Sequence, residues 1–548
     1  MKKNMPGVAL LMLSLIWIAP PPAAAQVQAS QAVHFDVSPP LSELAQQVQG
    51  VVPQLAHAPH AMPLNRLPMP QFQMKPDGAL QAKANIAQRA QVLGGFQGIG
   101  VGLGSFQPAS TPPDTTGAVG ATQYVQWVNV NLAVFDKTSG APVMGPVPGN
   151  TLWAGFGGAC ETSNDGDPIV EYDKAAGRWV LSQFTAEAPY LECVAVSTTS
   201  DATGSYNRYA FAMGPNFADY PHVGVWPDAY YFSFNMFTPG GSRIGGRACA
   251  FDRTAMLAGQ AAQQECFDSV AIFGMVPSDW DGATPPPAGA PNNFVQFGAR
   301  DGTSVLNLYQ LHADFVTPAN ATFSAPMQIP VASFIPACLE TEPQPIGGDG
   351  SGDPDASGKG CIPQKATKQG LDELSDRMMY RAAYRNFGDH ESLVATHTVA
   401  RVVKGTNRIK INGASIRWYE MRGVSTASPT VFQQGTFGPN QQWRWMPSIG
   451  MDSAGDIAVG YSTSGPNLFP GIRFTGRMPS DPSGLMEAER VILRGTGSQT
   501  GSDRWGDYSA LSIDPADDCT FWYTTEYLKK SAASWSTWIA SFKFPNCE

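Results

Sequence analysis

Apolar and polar positions alternate in short runs along most of this chain, and many of the runs end in an Asp with a Gly close behind. AVFDKTSGAPV (Asp136, Gly140), IVEYDKAAGRWVLSQF (Asp173, Gly177) and SIGMDSAGDIAVGYS (Asp452, Gly455) show the pattern clearly. VGVWPDAYYFSF (Asp228), FVQFGARDGTSVLNLY (Asp301, Gly302) and LSIDPADDCTFWYTTEY (Asp514, Asp518) are looser copies. A period of two is the signature of a strand with one buried face. Asp closes a tight turn through its own side chain, and Gly accepts the positive φ that such turns need. The pattern therefore predicts an all-β chain of serial hairpins. Their radial repetition points to a β-propeller. A pair of β-sandwiches in two domains would use the same strands and is the competing arrangement.

Seven hairpin units align, at 111–160, 161–215, 216–275, 290–330, 376–425, 440–485 and 500–547. About seven blades are expected. The fourth unit is the least regular, so six is the competing count. Between the fourth and fifth units, residues 339–375 form a polar insertion containing GGDGSGDPDASGKG. Asp349, Asp353 and Asp355 there could hold a structural calcium, although the spacing matches no EF-hand loop. No other cofactor is expected.

Composition adds a compartment. Lys2 and Lys3 precede the apolar stretch GVALLMLSLIWIA, and Ala23–Ala25 supply small residues for cleavage. Residues 1–25 thus read as a secretory signal peptide, cut before Gln26. The alternative is an uncleaved anchor, but the stretch falls short of the ~20 residues of a span. No later segment is long and apolar enough to cross a bilayer. A secreted location follows, whether extracellular, periplasmic or surface-associated. Residues 26–110, rich in Pro, Gln and Ala, read as an N-terminal arm, partly extended and partly disordered. Its GGFQGIGVGLGSF stretch reads as a flexible entry to the first strand. Residues 111–548 form the propeller domain.

All eight cysteines (Cys160, Cys193, Cys249, Cys266, Cys338, Cys361, Cys519, Cys547) fall in the exported part. An even count there implies disulfides. Sequential pairing is expected, because each neighbouring pair brackets one hairpin or one loop. A net charge of −10 argues against nucleic acid as a partner, since phosphate binding needs clustered cations.

In a propeller the residues just before the innermost strand of each blade gather at one mouth of the central channel. Those positions here are Asp114, Asp167, Tyr220 with His222, Arg377, Arg444 with Trp445, and Trp505 with Asp507 and Tyr508. Asp114, Asp167, Asp507 and His222 are the catalytic candidates. Paired carboxylates can cleave a glycosidic bond, one as acid and one as base or nucleophile. Tyr220, Arg377, Arg444, Trp445, Trp505 and Tyr508 are the substrate-binding candidates: aromatic faces stack on sugars and guanidinium forks bind carboxylates. An extracellular polysaccharide or glycan is the expected partner. The competing reading is that these groups satisfy one another, or hold an ion, in a non-catalytic binding, adhesion or structural module. NFGDHESLV (Asp389, His390, Glu391) falls at a turn on the opposite face. No GxSxG and no HExxH occurs, so neither the α/β-hydrolase elbow nor the common zinc-protease helix is present.

PPDTTGAVGATQYVQWVN, NDGDPIVEYDKAAGRWVLSQF, YPHVGVWPDAYYFSFNMF, YRNFGDHESLV and RWGDYSALSIDPADDCTFWYTTEY resemble a group of large secreted bacterial proteins. The chain is also distantly similar to sialidase-type propellers, whose hairpins carry Asp-box turns. Asp452 and Gly455 match that box, but no complete Ser-x-Asp-x-Gly-x-Thr-Trp run occurs. The three arginines of the sialidase clamp have no residue-by-residue match.

Overall fold

The computed structural model describes residues 26–48, 60–61, 75–84, 86–300, 302–338, 360–404 and 409–547. The signal-like segment and Asp349, Asp353 and Asp355 lie outside them.

The described chain is all-β and propeller-like. Its strands form seven antiparallel units in sequence order. Unit 1 holds Thr115–Val119, Gln123–Val128, Asn131–Asp136 and Pro142–Pro148. Unit 2 runs from Ile169–Asp173 to Tyr206–Ala212, and unit 3 from Phe217–Val225 to Gln263–Ser269. Unit 4 starts at Val276–Asp281 and unit 5 at Met379–Asn386. Unit 6 runs from Trp443–Met451 to Arg490–Leu493. Unit 7 holds Ala510–Ile513, Phe521–Tyr527 and Ser536–Lys543. Each first strand touches the first strands of the units on either side, and that of unit 7 touches that of unit 1. Between units 4 and 5 the contact is a parallel hydrogen-bonded pairing.

Local chemistry explains the hairpins. Asp173 Oδ1 accepts from the Ala176 N–H at 3.0 Å, and Gly177 takes φ +63°, so the turn closes without a side-chain clash. Asp228, Asp452 and Asp514 occupy the corresponding first-to-second-strand turns, as does the Asp389–His390 pair of unit 5. Asp136 instead closes a third-to-fourth-strand turn. Unit 4 begins at Val276, before the expected start at 290. Its first strand is short and runs into a proline-rich loop, which hid the strand period.

The N-terminal arm adds strands to the outer edges of the units. Gln28–Gln31 pairs with the last strand of unit 3, and His34–Val37 with that of unit 2. The helix Leu41–Val48 packs on unit 1. Leu80–Gln81 extends unit 5, and Arg89 forms ion pairs with Asp481 and Glu487 of unit 6. The glycine-rich stretch is a ten-residue strand, Gln91–Gly100, and forms the outer strand of unit 7. Its glycines mark close approach. A Cβ on Gly98 would lie 2.5 Å from Thr537 Oγ1 and 2.6 Å from Gln126 Oε1. The strand pattern was masked because backbone, with no side chain, fills these positions.

The eight cysteines pair sequentially: Cys160–Cys193, Cys249–Cys266, Cys338–Cys361 and Cys519–Cys547. Among the described residues no helix is long and apolar enough to cross a membrane.

Two outcomes follow for stability. Gly98→Val should cost about 2–3 kcal/mol in urea unfolding, because the new methyls overlap unit 7. Gly94→Ala, with nothing within 4 Å of the added carbon, should stay within about 0.5 kcal/mol. Glu192, fully buried on the third strand of unit 2, has its carboxyl pushed up to about 8 by burial. The folded chain holds that proton while the unfolded chain releases it near pH 4.5. The contribution is therefore full below about pH 4.5 and is lost as pH rises toward 8. Melting curves should show the advantage of Glu192→Gln over the native chain growing from pH 5 to pH 8.

Candidate functional site

The same backbone device recurs in several units, just before the first strand in units 1 and 2 and at a bulge near its start in units 3 and 6. Asp114, Asp167, Tyr220 and Met446, in units 1, 2, 3 and 6, all adopt positive φ, between +40° and +57°. Non-glycine residues seldom accept this conformation, and it persists only where the surroundings enforce it. Here it brings side chains from units 1, 2, 3 and 7 to one place.

Asp114 is anchored on both oxygens. Its Oδ1 accepts from the Asp507 N–H at 2.8 Å and its Oδ2 from Asn129 Nδ2 at 2.7 Å. Burial, and then the charge of Asp507, pushes its carboxyl up to about 8 against the pull of Arg504. Asp167 is raised well above the usual carboxylate range by burial, then by Asp114, Asp219 and Asp507. It keeps some accessible surface. Asp507 is ion-paired with Arg504, which also reaches Asp372 at 3.3 Å.

Tyr220 donates to the Asp507 carbonyl at 3.1 Å, and the Arg377 guanidinium sits 4.6 Å from the Tyr220 ring centre. Arg377 itself grips Asp376 with two hydrogen bonds, of 2.8 and 3.1 Å. Tyr508 donates to the Pro168 carbonyl at 2.9 Å. His222 is fully buried among Tyr220, Tyr380 and Tyr508, and neither ring nitrogen has a hydrogen-bond partner. Burial, then Arg377, pushes its pKa down to about 3, so the ring is neutral.

Seven predicted residues therefore gather: Asp114, Asp167, Asp507, His222, Tyr220, Arg377 and Tyr508. The other three do not join them. Arg444 is locked inside unit 6, where Glu489 accepts two of its hydrogen bonds and also receives one from Tyr461. Trp445 and Trp505 pack together in an apolar cluster with Leu371, Leu374 and Met379. Trp505 also donates to Ser462 Oγ. Residues 371–376 and 503–507 form a roof here, joined by the Asp372 N–H to the Asp503 carbonyl at 2.9 Å. Asp219, Asp376 and Arg504 were missed, although each precedes a predicted residue by one position. Asn129, Tyr380 and Glu526 carried no local signal, because only the ring places them here.

Further along the first strands lies a second polar layer. Arg381 of unit 5 binds Asp279 and Asp281 of unit 4, and Lys174 of unit 2 also pairs with Asp281. Burial, then Arg381, pushes the Lys174 amine down to about 8.

Among the described residues, one group of three or more His, Cys, Asp or Glu brings its ligating atoms within 4.8 Å of one another: Cys338, Cys361 and Glu373. Both sulfurs are spent in a disulfide, so that group is no metal centre.

No family model matches the chain. No curated protein matches it either. Among solved structures, it is similar to the WD40 domain of SCAP from fission yeast, at 8% identity and a TM-score of 0.30 over 78% of this chain and 94% of that one. It is similar to a subtype N10 neuraminidase-like protein of A/little yellow-shouldered bat/Guatemala/060/2010, at 7% identity and 0.31 over 66% and 94%. A thermostable family-43 glycoside hydrolase matches at 10% identity and 0.28 over 70% and 90%. Likeness at this level carries no chemistry across to this chain.

Removing one buried ion should expose the charge imbalance. Arg504→Met leaves Asp507 and Asp372 without their shared cation and should cost about 3–5 kcal/mol in urea unfolding at pH 7. Adding Asp507→Asn to that variant should recover part of the loss.

Proposed function

We propose that this chain is an exported β-propeller of seven blades whose channel mouth acts on extracellular carbohydrate by hydrolysis. The cyclic order of first-strand contacts supports seven blades. Four disulfides and the signal-like start support an oxidising compartment outside the cytoplasm.

One observation carries the catalytic reading. Two carboxyls of the entry cluster stand in unlike surroundings. Burial and three neighbouring aspartates raise the Asp167 carboxyl well above the usual carboxylate range, while Asp507 is paired with Arg504. Glycoside hydrolysis uses this division. Asp167 passes its proton to the departing glycosidic oxygen. Asp507 either attacks the anomeric carbon or takes a proton from the attacking water. Asp114 positions the Asp507 backbone, and the excess of carboxylates favours a neutral or cationic glycan.

A second reading rests on a different observation. Tyr220, Trp445, Trp505 and Tyr508, the aromatic binding candidates, are all buried, so none of them offers an outward-facing platform. A non-catalytic glycan-binding, adhesion or envelope module fits that closure.

The test is product release from a panel of neutral, amine-bearing and acidic polysaccharides by the purified full chain. Turnover should fall at least a hundredfold in Asp167→Asn and in Asp507→Asn. It should also decline as pH rises through the raised pKa of Asp167. Binding without product on any polymer would instead support the second reading.

A further inference from the structure

The second polar layer contains a pair placed for a covalent step. Lys174 follows Asp173 in the first turn of unit 2, and Asp281 ends the first strand of unit 4. Unit 3 separates them in the ring, yet Lys174 Nζ is in direct contact with Asp281 Oδ1. The Asp281 side chain is 1% exposed and that of Lys174 15%.

A plain ion pair fits this place poorly. An ammonium carries three donor hydrogens, and a largely buried one needs acceptors for them. Among the described residues Asp281 is the one carboxylate that Lys174 pairs with, and Asp281 Oδ1 accepts no further hydrogen bond. Burial, then Arg381, already lowers the amine to about 8, so its neutral, nucleophilic form is within easy reach.

The other oxygen of Asp281 is held by a guanidinium. Arg381 Nη2 binds Asp281 Oδ2 at 2.5 Å and Asp279 Oδ2 at 2.6 Å, and its Nε binds Asp279 Oδ2 at 2.8 Å. One side chain therefore fixes the carboxyl that Lys174 touches and sets a second carboxylate beside it. The charge of Asp279 acts on the Lys174 amine as well.

We infer that Lys174 and Asp281 condense to an amide, a covalent cross-link between units 2 and 4. The ammonium hands one proton to Asp281 Oδ1, which leaves a neutral amine and a neutral acid. Nζ attacks Cγ, and Arg381 offsets the negative charge that gathers on Oδ2. Asp279 takes a second proton from the nitrogen and passes it to Oδ1. The Cγ–Oδ1 bond breaks and Oδ1 departs as water. One ammonium and one carboxylate enter the step, and one amide and one water leave it. Fixed contact gives the two side chains an effective concentration that free groups lack. The product leaves Arg381 and Asp279 as a neutral pair, and the amide nitrogen keeps one hydrogen where the ammonium had three. The cross-link is independent of turnover at Asp167 and Asp507.

The experiment is tandem mass spectrometry of the purified full chain, reduced, alkylated and cut with trypsin. The inference expects a branched peptide joining residues 138–178, uncut after Lys174, to residues 254–300. Its mass should be one water below the sum of the two. Lys174→Arg should yield residues 254–300 as a linear peptide of full mass. Asp279→Asn should lower the branched fraction at least tenfold, with circular dichroism confirming the fold. An unchanged fraction in that folded variant would remove Asp279 from the step. Cleavage after Lys174 in the native chain, with both peptides linear and of full mass, would show an ion pair alone and overturn the inference. So would a linear 254–300 peptide that is one water light and reopens with hydroxylamine, because that product is a succinimide at Asp281–Gly282.

Discussion

The pairing of Gln91–Gly100 with Ser536–Lys543 is the contact on which the rest of the structure leans. Unit 7 takes its outer strand from residues that precede unit 1, so the two ends of the ring share one sheet. Each hydrogen bond of that ladder opposes the splaying of unit 7 from unit 1. The first strands can then stay in cyclic contact, and the entry residues can point at one place. Glycine at 95 makes room for the Trp538 ring and the Ile539 carbonyl, and glycine at 98 for the Thr537 and Gln126 side chains.

That convergence creates an electrostatic problem at the centre. Carboxylates from units 1, 2, 3 and 7 meet in a volume where water is scarce and charge is poorly screened. Arginines at 377 and 504 offset some of it, and raised pKa values offset more by keeping protons in place. The second layer around Arg381 repeats the logic with the balance nearer neutrality. The first layer joins units 1, 2, 3 and 7 through side chains, and the second reinforces the backbone pairing of units 4 and 5, so the polar centre ties neighbouring units together as well as forming a candidate site.

The hairpins were legible because alternation and Asp-Gly turns are local signals. The entry positions Asp114, Asp167, Tyr220 and Asp507 were legible for the same reason, since each stands next to a recognisable strand. Arg444, Trp445 and Trp505 satisfied the same positional rule yet face other parts of unit 6 and the roof. A β-bulge between Trp445 and Ser448 takes Arg444 and Trp445 off the alternation of the rest of their strand, and Trp505 stands ahead of its strand, in the segment that packs on residues 371–376. The strand at 91–100 was illegible because its pattern is written in missing side chains. Asn129 and Glu526 were illegible because their meaning comes from the neighbouring unit and not from their own strand.

The route of the arm has a consequence for how the chain assembles. Residues 28–100 contact units 3, 2 and 1, and then 5, 6 and 7, every one of which lies further along the chain. The arm must therefore wait for partners made later, the last of them Ser536–Lys543. Contacts this distant in sequence slow folding, because loop closure precedes the reward. Unit 7 closes its own hairpins from neighbouring residues but gains its outer strand only when the arm docks. A truncated chain that lacks either end presents a bare sheet edge, the kind of surface on which another chain can pair.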